Sequence, residues 1–332
     1  MEGLFRLSSL AIMGMGKNTG KTSFLNLLIE EAHRQAKDRV LALTSIGRDG
    51  EERDLVTKGD KPRIYVTEGT LVATAEDLLS RCDVTKEIME STGVFSALGR
   101  IIIFRALSDG FVELAGPSRS TDLQKIEQSM RDIDRNCFFI VDGALSRMSF
   151  STQTEGAVLC TGVSVSQSLE KIYEKTINAV NSLTLKKTGY ALPEEEGRAF
   201  VKNGDWSRVQ GEIALSLGKE IRQILSEDTE AIYIRGAVTD QLLTELLASQ
   251  NFRNRDLIIR DGTKLLVSPE MMRKLEIRKI RIQVVEEIRV LKIIVNPFDP
   301  SGFEVNIKNL LERLQEGTNI PILRLGVWKE GK

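Results

Sequence analysis

The residue types best suited to chemistry fall together in one run, Gly14-Met15-Gly16-Lys17-Asn18-Thr19-Gly20-Lys21-Thr22. Apolar residues Leu10-Ala11-Ile12-Met13 precede it, and an amphipathic stretch over 23–36 follows. A buried strand, a glycine-rich loop and a helix in that order form the layout of a phosphate-binding loop. Backbone N–H groups of Gly16, Lys17, Asn18, Thr19 and Gly20, continued into Lys21, Thr22 and Ser23, would face an anion. The helix dipole adds partial positive charge at the same place. Lys21 would reach the β- and γ-phosphates, and the Thr22 hydroxyl would ligate Mg²⁺. Gly20 would let the backbone approach the phosphates with no Cβ in the way. One position departs from the pattern G-x-x-x-x-G-K-[ST]: its first glycine would fall at Met15, which Gly14 and Gly16 flank. A glycine-rich turn that binds nothing is the plain alternative. The strand before and the helix after favour a nucleotide.

Two carboxylates stand where a bound cation would need them. Residues 39–44 read as a second strand running into Ser45-Ile46-Gly47-Arg48-Asp49-Gly50-Glu51-Glu52. Strand–helix–strand units are right-handed, which brings that loop to the sheet edge of residues 14–22. There Asp49 could hold a metal-bound water and Arg48 could neutralise phosphate charge. A solvated Asp-Gly turn is the competing reading. Further on, Cys137-Phe138-Phe139-Ile140-Val141 runs into Asp142. A buried strand delivers a carboxylate beside a phosphate loop in this way, although any buried strand ending in aspartate looks alike. The sequence thus nominates Lys21, Asp49 and Asp142 as catalytic and Thr22, Asp49 and Asp142 for Mg²⁺. The residues themselves do not tell ATP from GTP. The apolar run 290–295 ends in Asn296-Pro297-Phe298-Asp299, which invites comparison with the guanine-reading N-K-x-D. Pro297 stands in the lysine's place, so a proline-bounded strand exit is expected and no guanine specificity is inferred.

Composition narrows the rest. Lys and Arg number 46 against 47 Asp and Glu, so no global field favours nucleic acid or an anionic membrane. No apolar run approaches the roughly 20 residues that span a bilayer. Met1-Glu2-Gly3 opens no secretory signal, and the chain reads as cytoplasmic. Cys82, Cys137 and Cys160 are scattered without C-x-x-C spacing and read as reduced core thiols. His33 is the single histidine, which excludes histidine triads and multi-histidine metal sites. Catalysis is left to carboxylates, lysine, hydroxyls and a bound cation.

Alternating strand and helix signals predict an α/β protein. A P-loop NTPase three-layer sandwich is expected over 1–185, a polar linker or insertion over 186–210, and a second α/β lobe over 211–332. Within the first domain, helices are expected at 75–82 and 86–91. A hairpin of 101–104 with 111–114 is expected around Ser108-Asp109-Gly110. Residues 115–120 form another glycine/serine loop with a cation, read as a plain loop over one that approaches a ligand or partner. No internal repeat is evident.

Segments 14–22 and 43–51, with Val-Glu-Leu-Ala-Gly-Pro-Ser at 112–118 and Val-Asn-Pro-Phe-Asp-Pro at 295–300, carry a resemblance. They resemble the P-loop subunits of the reactivases that accompany adenosylcobalamin-dependent lysine 5,6-aminomutase and ornithine aminomutase. The resemblance implies an ATPase-driven chaperone that works with a second, mismatch-repair-like ATPase subunit to expel inactivated cobalamin from the mutase. It implies that Lys21 and Thr22 carry phosphate and Mg²⁺, with Asp49 and Asp142 in the metal's water shell. His33 sits in no D-x-H-x-x-G context, so cobalamin contact would be indirect, through the mutase. On this reading ATP·Mg²⁺ orders loop 45–52 and hydrolysis releases it. With no general base evident, turnover would be slow and partner-stimulated. A ligase or kinase of the dethiobiotin-synthetase type, its acceptor pocket lined by Arg48, Arg119 and Ser120, is one alternative. A nucleotide-binding scaffold without catalysis is the other. The sequence leaves a homodimer open.

Overall fold

The computed structural model describes residues 1–36, 38–46, 63–145, 149–211 and 214–326. They form two units, Met1–Tyr173 with Val290–Lys332, and Glu174–Arg289. In the first, β1 (Ser9–Gly14) is buried at every residue, as a mid-sheet strand covered on both faces must be. α1 (Lys21–Gln35) follows, and its Phe24, Leu25, Leu28, Ile29 and Ala32 recur at helical spacing and join the core. The chain continues through β2 (Leu41–Ser45), β3 (Ile64–Val66), β4 (Leu71–Ala75), β5 (Lys86–Ser96), β6 (Gly99–Ala106) and β7 (Gly110–Val112). Next come α2 (Ser120–Ile133), β8 (Phe138–Ala144), β9 (Gly156–Gly162) and α3 (Leu169–Leu183), the helix in which the second unit begins. That unit holds β10 (Ala199–Asn203), β11 (Asp205–Val209), α4 (Ala214–Ile224), β12 (Ala231–Ile234), β13 (Val238–Thr239), α5 (Asp240–Leu247), β14 (Asp256–Ile259), β15 (Leu265–Leu266), α6 (Pro269–Ile277) and β16 (Arg281–Val284). β17 (Val290–Asn296), α7 (Lys308–Gly317) and β18 (Ile322–Arg324) return to the first unit.

Among the described residues the first unit carries a nine-stranded sheet in the order β18-β17-β9-β1-β8-β2-β4-β6-β5. Every pairing from β18 to β4 is parallel, and β6 and β5 extend the sheet antiparallel. The protein is therefore α/β, as expected, with a mixed main sheet. Because the parallel strands share one direction, β1, β2, β8, β9 and β17 all end at one edge, where open α/β sheets bind ligands. No helix among the described residues is long and apolar enough to cross a membrane.

Several boundaries differ from the sequence reading. Residues 186–210 are not a linker: β10 and β11 pair antiparallel about Gly204, whose φ is 77°, and β10 joins β12 in the sheet β11-β10-β12-β14-β16. Polar flanks masked the short buried run Ala199-Phe200-Val201. Nor does the second lobe reach the C-terminus, because β17 pairs with β9 of the first sheet and buries Ile293, Ile294 and Val295 there. Residues 86–91 form strand rather than helix, since pairing with β6 overrides their weak local propensity. The expected hairpin is absent: β6 pairs with β4 and β5, whereas β7 pairs with β3. The Asp109 carboxylate instead accepts the Glu68 N–H at 2.8 Å. The second unit also contains a structural repeat, β12-β13-α5 and β14-β15-α6. Its strands pair β12 with β14 and β13 with β15, and side chains of Thr239 and Ser268 cap the helices alike. The two copies share hydrogen-bonding geometry more than residues, so no sequence period betrays them.

Candidate active site

β1 leaves the sheet at Gly14, and the chain turns through residues 15–20 into α1. The Met15 N–H donates to the Cys160 carbonyl at 3.0 Å, which ties the start of the turn to β9. Asn18 and Gly20 take left-handed φ values of 56° and 83°. Buried Thr19 lies between them, its hydroxyl donating to the Gly16 carbonyl at 3.1 Å. Turns that alternate in this way let successive N–H groups face one anion. α1 then opens with Lys21, Thr22 and Ser23, and the N–H groups of a first helical turn have no carbonyl within the helix to meet.

The Lys21 side chain lies back over Gly14. A Cβ at position 14 would stand 2.6 Å from Lys21 Cδ and 2.8 Å from its Nζ. The glycine this loop needs is therefore Gly14, one residue before the position where the general pattern asks for one, and Met15 is accommodated. Gly20 is also required by its own surroundings. Its φ is left-handed, and a Cβ there would meet Leu325 Cδ2 at 2.7 Å and Asn296 Cβ at 3.0 Å, against the C-terminal strands.

Asp142 lies on β8, in register with Ile12 of β1 and with Ser45 of β2, and is 5% exposed. Burial pushes the Cys160 thiol up; the Asp142 carboxylate adds to the rise and Lys21 opposes it. Gly14, over which Lys21 lies, is in register with Cys160 of β9 and with Ala144 of β8, two residues past Asp142, so Lys21 and Asp142 share this edge of the sheet with half-buried Thr22. Asp49 and Arg48 lie outside the described residues. Ser45 and Ile46, which lead to them, end β2 at this edge, with the Ile46 N–H donating to the Asp142 carbonyl at 2.9 Å. His33 is exposed on α1.

Two parts of this edge escaped the sequence reading. The Gly116 N–H donates to the Ser45 hydroxyl at 3.0 Å, and a Cβ on Gly116 would stand 1.7 Å from the Ser45 carbonyl oxygen. Gly116, in the buried run 114–117 just before exposed Arg119, is therefore pressed onto the end of β2. The Gly-Pro pair at 116–117 was the available signal. Asn296, expected only as a strand exit, contacts the loop after β1 through its side chain. Among the described residues no group of three or more His, Cys, Asp and Glu side chains is placed to hold a metal ion. A magnesium–nucleotide complex asks for fewer protein ligands, since phosphates and waters fill most of its octahedron. No protein-family model, curated protein or solved structure matches the chain.

Proposed function

We propose that this chain is a P-loop nucleoside triphosphatase, with the three-layer sandwich of that class built on its larger sheet, and that ATP binds with Mg²⁺ at residues 14–23. One observation carries the reading: Lys21 at the head of α1 is laid over Gly14 at the end of β1, at the sheet edge that buried Asp142 approaches on the adjacent strand. The N–H groups of residues 16–20 and of the first turn of α1 cradle the β-phosphate. The Lys21 ammonium neutralises β- and γ-oxygens. The Thr22 hydroxyl and Asp142 carboxylate are the described groups that would hold Mg²⁺, which supplies charge neutralisation on the phosphates when bound. Three buried free thiols support a reducing, cytoplasmic setting.

The partner in this reading comes from the resemblance of residues 14–22 and 43–51. It is an adenosylcobalamin-dependent aminomutase from which, together with a second ATPase subunit, the chain expels spent cobalamin. The test is phosphate release from ATP and from GTP, for wild type and Lys21→Ala, alone and with purified lysine 5,6-aminomutase. Slow ATP turnover that rises with the mutase and vanishes in Lys21→Ala is expected. Bound nucleotide with no turnover in either setting would replace the reading with a scaffold. Fast turnover that needs only a small acceptor would replace it with a ligase or kinase.

A further inference from the structure

We infer that Asn296 is a positioning residue for the phosphate loop: it holds residues 18–20 in their anion-binding shape, so nucleotide affinity depends on a strand from the far end of the chain. This rests on the nucleotide-binding reading above, and Asn296 acts through Asn18 rather than on the nucleotide.

Asn296 closes β17, is 8% exposed, and pairs in register with Gly162 of β9. Its side-chain amide is used on both ends. Oδ1 accepts the Phe298 N–H at 3.2 Å, while Nδ2 donates to the Phe298 carbonyl at 3.2 Å and to the Asn18 carbonyl at 2.9 Å. The two bonds to Phe298 fix the rotation of the amide, so its remaining N–H arrives at the loop already aimed. Aspartate has no donor to offer there, and leucine fills the same volume with none. The space is equally particular. A Cβ on Gly20 would stand 3.0 Å from Asn296 Cβ, and one on Gly162 would stand 2.3 Å from the Asn296 carbonyl oxygen. Pro297 restricts the backbone of Asn296 to extended conformations, which keeps the side chain over the loop.

The residue it grips is the strained one. Asn18 is a non-glycine residue at φ 56°, a conformation that persists only where the surroundings over-determine it. The Thr19 bond to Gly16 is internal to the loop and moves with it. The Asn296 bond anchors the loop from outside, to a strand whose own exit is held by the Leu325 N–H on the Val295 carbonyl at 2.9 Å. Without that anchor, residues 18–20 spread over other conformations, and ordering them again is charged against nucleotide binding.

The experiment compares wild type, Asn296→Leu and Asn296→Ala by fluorescence titration with N-methylanthraniloyl-ATP, reading both Kd and the number of sites per chain, beside a nucleotide-free thermal melt. A rise in Kd of about tenfold is expected, the worth of one buried hydrogen bond, with the number of sites unchanged. KM for ATP should rise in step while kcat stays within about twofold, since a loop that binds ground and transition states alike affects KM. A role confined to folding would lower the number of competent sites at an unchanged Kd, and that result overturns the inference. So does a wild-type Kd in both folded variants, or failure of both variants to fold. Wild type that binds no nucleotide would instead remove the nucleotide-binding reading itself.

Discussion

The placement of Lys21 over Gly14 makes a sharp quantitative demand on the substitution Gly14→Ala. The new methyl group would sit 2.6 Å from Lys21 Cδ and 2.8 Å from both Cγ and Nζ. All three atoms belong to one flexible side chain, so the backbone keeps its course and the lysine gives way. Gly14 has no left-handed φ to lose, and the folding cost should stay near the ~1 kcal/mol of a displaced rotamer. The nucleotide, by contrast, loses its ammonium. A charge-assisted hydrogen bond contributes about 1.5–3 kcal/mol, which corresponds to an increase in ATP Kd of about 10- to 150-fold. Lys21→Ala should weaken binding by a similar factor. The decisive measurement is the double variant, with Kd from calorimetric titration. If alanine at 14 acts by evicting Lys21, the two effects are not additive, and the double variant binds like the worse single one. Wild-type affinity in Gly14→Ala, or additive losses in the double variant, would refute the assigned position of the lysine.

Other consequences are equally direct. At Gly116, a Cβ 1.7 Å from the Ser45 carbonyl oxygen meets backbone, which cannot step aside. Gly116→Ala should cost about 3 kcal/mol in urea unfolding, and an unchanged midpoint would disprove the close approach. Asp261 is fully buried, and burial raises its carboxyl pKa, with its bonds from the Thr263 hydroxyl and N–H opposing. A raised folded pKa means that the folded state holds its proton longer. This group's contribution is then most favourable below the ordinary carboxylate value and declines as pH climbs from about 4 towards the folded pKa. Asp261→Asn should flatten that decline and raise Tm at pH 7; a Tm lowered at pH 7 would contradict it. Burial raises the thiol pKa of Cys82, Cys137 and Cys160. Ellman's reagent at pH 8 should find no reactive thiol in the native protein and three in denaturant, so one fast-reacting native thiol would contradict the burial.

Some of this protein could be written down from its residues alone. The strand Leu10–Met13, the turn at 14–20 and the helix from Lys21 are set by neighbours in sequence: an apolar run, Asn18 and Gly20 at the left-handed positions, and helical spacing of Phe24, Leu25 and Leu28. The strand that delivers Asp142 is legible for the same reason, since five buried apolar residues in succession suit a covered parallel strand. The departure at Met15 had no local explanation, because it depends on where the Lys21 side chain folds. Partnership between distant segments was also out of reach. Residues 290–295 read as a strand, but nothing local says that they pair with β9 rather than with the second unit, and the domain boundaries follow from that one choice. Lys86–Glu90 has the composition of a helix and becomes an edge strand once β6 offers its hydrogen bonds. Asn296 and Gly116 look like ordinary turn residues until the sheet brings them against Asn18 and Ser45. Local propensity and hydrophobic pattern therefore determined β1, β8, α1 and the glycine-rich turn between β1 and α1. The tertiary structure decided what braces that loop, because hydrogen bonds and close packing between remote segments exist only after the sheet has assembled.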